Sequence, residues 1–188
     1  FHGFVEYDFK QDRVTRVASR NYLFVDLEID ATTPPGEIEI RFERAGEVET
    51  IRYPLRQRAA GSAARRGFGP QDVILNLMPD RYANGDPAND SVQGYTDRAD
   101  RAEPSGRHGG DLQGLSETLD YIAGMGYTMV WPTPLMENNQ PAHSYHGYAV
   151  TDLYRVDPRF GSNDDYRRFV AAARARGVGV IQDIVPNH

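Results

Sequence analysis

Apolar and polar positions alternate through Leu23, Val25, Leu27 and Ile29, with Asp26, Glu28 and Asp30 on the opposite face. A period of two is that of a half-buried strand, whose successive side chains point to opposite sides. A Thr33-Pro34-Pro35-Gly36 turn leads into a second alternating run through Ile38, Ile40 and Phe42. Ala45-Gly46 then precedes a third through Ile51, Tyr53 and Leu55. These runs predict an antiparallel sheet, arranged as a small all-β sandwich over residues 1–58.

From Gln57 to Gln71, Ala, Gly and Arg follow one another without a period, which places a linker at 59–71. Beyond it the pattern changes. Val73 to Leu77 reads as a short apolar strand, Leu112, Leu115, Leu119 and Ile122 are spaced for one helical face, and Thr128 to Trp131 is a second strand. Ser162 or Asn163 caps a helix with Asp164 and Asp165 in its first turn. Tyr166, Phe169, Val170 and Ala173 form its apolar side, and Gly177 stands at its end. Val178 to Val185 is a nearly continuous apolar strand. Strands alternating with helices imply α/β architecture with a parallel sheet. Three strands are too few to close an eight-stranded barrel, so 72–188 is expected to be the first part of an incomplete (β/α)8 TIM barrel.

A chain of 188 residues, 39% hydrophobic and 26% charged, has enough apolar material for a core. Its net charge of −6, with no basic stripe beyond Arg65-Arg66, argues against nucleic acid as a partner. With no cysteine, disulfides and thiolate metal sites are excluded, which is compatible with cytoplasm, periplasm or secretion. No apolar run approaches the roughly 20 residues that span a bilayer, so no membrane partner is expected; the compartment of a soluble, bacterial-type protein, cytoplasmic or periplasmic, stays open. The chain opens on Phe1 without Met or a leader pattern, which points to residues upstream.

In βα proteins the working residues gather past the C-terminal ends of strands, here after Leu77, Trp131 and Ile181. The first of these segments packs Asn84, Asp86, Asn89 and Asp90 into seven residues. Such oxygen density suits a hard cation such as calcium, which takes six to eight oxygens; it also suits a solvated Asn/Asp turn. The second segment, 132–161, carries Tyr145, His146, Tyr148 and Tyr154. Flat rings with polar rims fit a sugar, and they equally serve to pack a loop down. His143 and His146 lack a third ligand at zinc spacing. In the third segment, Asp183 in an otherwise apolar strand requires a donor to offset its desolvation.

Taken in order, several stretches resemble family 13 glycoside hydrolases, the α-amylase superfamily, and within it the neopullulanase and cyclomaltodextrinase branch. They are Asp80-Arg81-Tyr82-Ala83-Asn84-Gly85-Asp86, Gly109-Gly110-Asp111-Leu112, Tyr145-His146-Gly147-Tyr148 with Thr151-Asp152, Val156-Asp157-Pro158-Arg159-Phe160-Gly161, and Asp183 through His188. The first third, especially Asn21-Tyr22-Leu23-Phe24-Val25, resembles the sandwich that precedes the barrel in this branch. The resemblance implies a structural calcium site at Asn84, Asp86, Asn89, Asp90, the Gly109 carbonyl and Asp111. It implies that Tyr148 stacks under a sugar whose hydroxyls bond His146 and His188, with Asp183 and Asn187 supporting the strand end. The implied ligand is an α-glucan oligosaccharide or cyclodextrin, cleaved with retention by a parent enzyme, and a homodimer of that parent is compatible with the resemblance.

No catalytic residue is assigned within the chain. A retaining glycosidase needs two carboxyl groups about 5 to 5.5 Å apart, and the family carries its acids on later strands, so neither Asp80 nor Asp152 is assigned that role. The expectation is therefore an inactive isolated chain with unpaired sheet edges that favour self-association. The alternatives are a non-catalytic glucan-binding polypeptide, or a parent transglycosylase or isomerase.

Overall fold

The computed structural model describes residues 9–16, 18, 23–65 and 67–186. The chain divides into two compact units, 1–66 and 67–188, and the division falls inside the 59–71 stretch.

In the first unit, β1 (Phe9–Arg16) pairs antiparallel with β2 (Leu23–Ile29), with a register shift between Gln11 and Arg13. β3 (Gly36–Arg44) and β4 (Glu47–Leu55) pair without interruption from Gly36 opposite Leu55 to Arg44 opposite Glu47. Ala45 and Gly46 join them with φ of 51° and 86°. Positive φ at both central positions gives a two-residue turn the twist its strands require. Ile38 opposes Tyr53 and Ile40 opposes Ile51, so both strands place apolar residues on one face. On the other face Glu39 opposes Arg52, with an ion pair at 3.3 Å.

The structure corrects one expectation and adds one strand. The described strands form two separate two-stranded sheets, β1-β2 and β3-β4, rather than one continuous sheet. Strand β1 escapes the alternation rule, because in Phe9-Lys10-Gln11-Asp12-Arg13-Val14-Thr15-Arg16 apolar residues are too sparse to set a period.

The second unit runs β5 (Ile74–Leu77), α1 (Pro79–Tyr82), α2 (Leu112–Glu117), α3 (Leu119–Gly124), β6 (Met129–Pro132), β7 (Met136–Glu137), β8 (Asp152–Val156), α4 (Asn163–Ala175) and β9 (Gly179–Val180). β5, β6 and β9 form a parallel sheet in that order. The register aligns Leu75, Val130 and Val180 toward the helices, while Asn76 and Trp131 share the opposite side. Leu112, Leu115, Leu119 and Ile122 are all buried, with Phe169 and Ala173 of α4 and Val178 against them. Each such side chain contributes about 1.5–3 kcal/mol on burial. Their spacing predicts one helix, yet the helix breaks at Thr118. The Thr118 hydroxyl donates to the carbonyls of Gly114 and Leu115, both at 3.0 Å, which competes with the next helical turn.

Ser162 rather than Asn163 caps α4: its hydroxyl accepts from Asp165 N–H while the Asp165 carboxylate accepts from the Ser162 backbone, a reciprocal capping box. Asn163 instead ties Val156 N–H and the Tyr154 carbonyl of β8. The strand expected over 178–185 shrinks to Gly179–Val180, with a last ladder bond from Ile181 N to the Val130 carbonyl at 2.9 Å. The neighbouring strand reaches Pro132 and then Pro134, and proline offers no N–H to extend the ladder.

Residues 133–161 are not an open loop. β7 and β8 pair within them, and a buried ion pair fixes their base. Arg159 forks onto Asp157 at 2.9 and 2.7 Å, both side chains having no exposed surface. Arg159 also donates to the carbonyls of Asp97 and Asn138, each at 2.8 Å. Burial pushes the Asp157 carboxyl upward, but the Arg159 hydrogen bonds and charge, the Arg107 charge and the Asn138 N–H outweigh it and hold the group below the ordinary carboxylate value. Arg107, equally buried, lies 4.7 Å over the Phe160 ring and donates to the Ser144 hydroxyl at 3.1 Å. Among the described residues no helix is long and apolar enough to cross a membrane.

Candidate functional site

The segments that follow β6 and β9 meet at the C-terminal end of the parallel sheet. Ser144–His146 forms a single 3-10 turn flanked by two left-handed residues, His143 at φ 60° and Gly147 at φ 84°. A Cβ at Gly147 would lie 2.1 Å from the Pro134 carbonyl oxygen, so only glycine supplies both the φ and the space. The turn folds the chain back, and Tyr148 N–H donates to His146 Nδ1 at 2.9 Å. Neutral His146 therefore carries its proton on Nε2, a donor. Burial, and secondly the nearby His143, lower its pKa below the ordinary 6.5, which keeps that neutral form at pH 7.

The rings of His146 and Tyr148 stack at 5.8 Å and 27°. Tyr145 meets His146 edge-on at 5.3 Å and sits beneath the Arg81 guanidinium at 4.2 Å, a packing role. Tyr154 is 92% exposed on β8 and stands outside this stack.

The Tyr148 phenol donates to Asp183 Oδ2 at 3.1 Å, and the Trp131 indole N–H donates to the same oxygen at 3.1 Å. Burial first, then the Asp183 bond and charge, raise the Tyr148 pKa, so the phenol stays protonated as a donor. Asp183 is half-buried rather than enclosed, and these two groups are the donors its position in an apolar segment requires. Asn187 and His188 lie outside the described residues.

The second cluster lies past β5. Asn84 Nδ2 donates to Asp90 Oδ1 at 2.6 Å, and Asp86 accepts from Ala88 N–H at 3.1 Å. Asp111 accepts four bonds: Gly85 N–H and Gly114 N–H on Oδ1, Asp86 N–H and the Asn89 amide on Oδ2. Through those four bonds Asp111 shapes the loop, and it caps α2. Gly109, at φ 84°, brings its backbone against Asn84 and Asp90; a Cβ there would lie 2.4 Å from Asp90 Oδ1. The amide oxygens Asn84 Oδ1 and Asn89 Oδ1 are buried without a hydrogen-bond partner among the described residues. Buried amide oxygens left unpaired are costly, and such atoms are the donor type a hard cation uses. Among the described residues no three His, Asp or Glu side chains converge as a metal cluster, so a cation here would depend on amide and carbonyl oxygens as well as carboxylates.

Asp80, the marker preceding this loop, is buried and accepts from His108 N–H at 2.8 Å and Gly109 N–H at 3.2 Å. It braces the loop. Through Arg107 and Ser144 the oxygen-rich loop is tied to the turn that carries His146. Sequence reasoning missed Trp131 and Arg107. The signal for Trp131 was its register opposite Asn76 at the end of a strand; Arg107 stands in a stretch with no period at all.

Residues 76–188 match the family model described as "Alpha amylase, catalytic domain", and residues 5–59 match "Cyclomaltodextrinase, N-terminal". The chain is 39% identical to neopullulanase 2 of Thermoactinomyces vulgaris over 125 residues, which is 64% of this chain and 20% of that protein. It is 34% identical to a cyclomaltodextrinase of a Bacillus species over 62% of this chain and 19% of that protein. A crystal structure of an Anoxybacillus alpha-amylase superposes with a TM-score of 0.57 at 43% identity, covering 62% of this chain and 24% of that one. The chain thus spans about a fifth to a quarter of the length of these relatives. Motifs and fold agree: the chain belongs to the alpha-amylase family, with an N-terminal region of the cyclomaltodextrinase type.

Proposed function

We propose that the chain is the N-terminal β region and first barrel strands of a retaining α-glucan hydrolase that cleaves α-glucosidic bonds in maltodextrin, cyclodextrin or pullulan. The observation that carries this reading is the His146–Tyr148 stack, held by Asp183 at the C-terminal end of a parallel sheet. An accessible phenol ring presents a flat apolar face to the C–H face of a glucose ring. His146 Nε2–H beside it donates to a sugar hydroxyl, and the resemblance implies a second polar contact from His188. Within a barrel these residues line one edge of the cleft. The nucleophile and general acid come from later strands and act by double displacement through a covalent glycosyl-enzyme.

Calcium fits the oxygen-rich loop through Asn84 and Asn89, whose amide oxygens lack partners, together with Asp86, Asp90 and the Gly109 carbonyl. Asp111, the remaining ligand that the resemblance implies, also holds that loop in shape. The cation is structural: bound, it satisfies those oxygens and stiffens the loop. The test is product analysis of the complete gene product on β-cyclodextrin, pullulan and maltotetraose, with the anomeric configuration followed by NMR. Hydrolysis with retained α-configuration is expected. Inverted products, or no turnover of any α-glucan, sink the reading, and transfer to a sugar acceptor moves it to a transglycosylase.

A further inference from the structure

We infer that Trp131 is a positioning residue for the sugar platform: its indole N–H sets the Asp183 carboxylate, which in turn holds the Tyr148 phenol and aims the ring. The inference rests on reading Tyr148 as that platform. Its geometry is a relay from rigid to exposed. Trp131 stands in β6, the central strand of the parallel sheet, opposite Asn76 of β5, and Asn76 Nδ2 donates to the Trp131 carbonyl at 3.0 Å. From that frame the indole N–H reaches Asp183 Oδ2 at 3.1 Å, and the same oxygen accepts the Tyr148 phenol at 3.1 Å.

Two donors on one oxygen occupy both of its lone-pair directions, so the position of one donor constrains the other. Tyr148 is thereby gripped at both ends, its backbone N–H by His146 Nδ1 and its phenol by Asp183. Trp131 and Tyr148 are each 39% exposed, and the polar relay adds to the His146 stack in setting the Tyr148 ring angle. A face oriented before the sugar arrives avoids the ordering cost that a loose ring would incur on binding. A backbone-anchored donor does this better than one on a loop.

The experiment has two arms, magnetic resonance on the 188-residue chain and sugar binding by the complete gene product. The sequence holds one tryptophan, so the indole N–H gives a single nitrogen–proton resonance. Asp183→Asn and Tyr148→Phe should both shift it; an indole resonance unmoved by Asp183→Asn overturns the relay. In the second arm, maltotriose binding is measured by calorimetry for Trp131→Phe, Tyr148→Phe, their double variant and Tyr148→Ala. Trp131→Phe, which keeps a ring and removes the donor, is expected to weaken binding roughly three- to tenfold with the melting temperature unchanged. The double variant should bind no more weakly than the weaker single, because both act through one carboxylate. Wild-type affinity in Trp131→Phe, or losses that multiply in the double variant, overturns the inference. Undiminished binding by Tyr148→Ala, or none by the unaltered complete gene product, sinks the platform reading instead, a result distinct from failure of the relay.

Discussion

Replacing Arg159 by methionine should strip the 133–161 segment of its anchor. In the native chain Arg159 makes two bonds to the Asp157 carboxylate and one to each of the Asp97 and Asn138 carbonyls, with neither charged side chain exposed. Methionine fills similar volume, so the loss is chiefly electrostatic. Asp157 keeps its bonds from Asn138 N–H and from the backbone N–H of residue 159, which moderates the penalty. Removing one partner of a buried pair costs about 3–5 kcal/mol. Arg159→Lys keeps the charge without the fork and should fall between. The assay is urea unfolding at pH 7 followed by circular dichroism, read as a midpoint shift at constant slope. The pH series carries the sign. Because the folded pKa of Asp157 lies below 3.8, its contribution is complete above that value and is lost as pH falls through the lower folded value. The gap between Arg159→Met and the unaltered chain should therefore narrow in that acid range. A gap below about 1 kcal/mol at pH 7, a median exposed pair's worth, or one undiminished in acid, refutes the reasoning.

Gly147→Ala forces a Cβ against the Pro134 carbonyl at a left-handed residue; the conformation alone costs about 1–2 kcal/mol, and a lowered melting temperature with weaker maltotriose binding is expected. Burial and His143 depress the His146 pKa, so protonation, which removes the Nδ1 acceptor of Tyr148 N–H, sets in only below pH 6.5. Maltotriose binding should accordingly hold from pH 8 to 6.5 and decline below, as calorimetry across pH would reveal; a flat profile into acid would remove His146 from the site. Chelation should lower the melting temperature of the chain and calcium should restore it, while Asn84→Ala and Asn89→Ala should each blunt that response. A melting curve indifferent to chelator and calcium would leave the oxygen-rich loop as a plain turn.

Much of the α/β unit was legible from local pattern. Leu112, Leu115, Leu119 and Ile122 announce a buried helical face by spacing, although two short helices rather than one carry it, and Ser162 with Asp165 announces a helix start. The Tyr145-His146-Gly147-Tyr148 motif likewise marked a turn, whose glycine answers a left-handed backbone and the close Pro134 carbonyl. Less legible was what depends on residues far apart in the chain. Strand β1 has no period to read, and the break at Thr118 turns on one hydroxyl choosing a backbone carbonyl over solvent.

The sequence by itself determined most elements of the α/β unit, the change from all-β to α/β near residue 60, and the family. Those follow from period, turn residues and short motifs, which act within a few residues of one another. Tertiary structure alone decided that Arg107 and Arg159 are buried, that Asp111 organises its loop through four donors, and that Trp131, Tyr148 and Asp183 share one oxygen. Those three residues are separated by up to 52 positions, and only the parallel register of the sheet brings them together. Hydrogen-bond partners and desolvation are properties of the packed chain, and no local pattern encodes them.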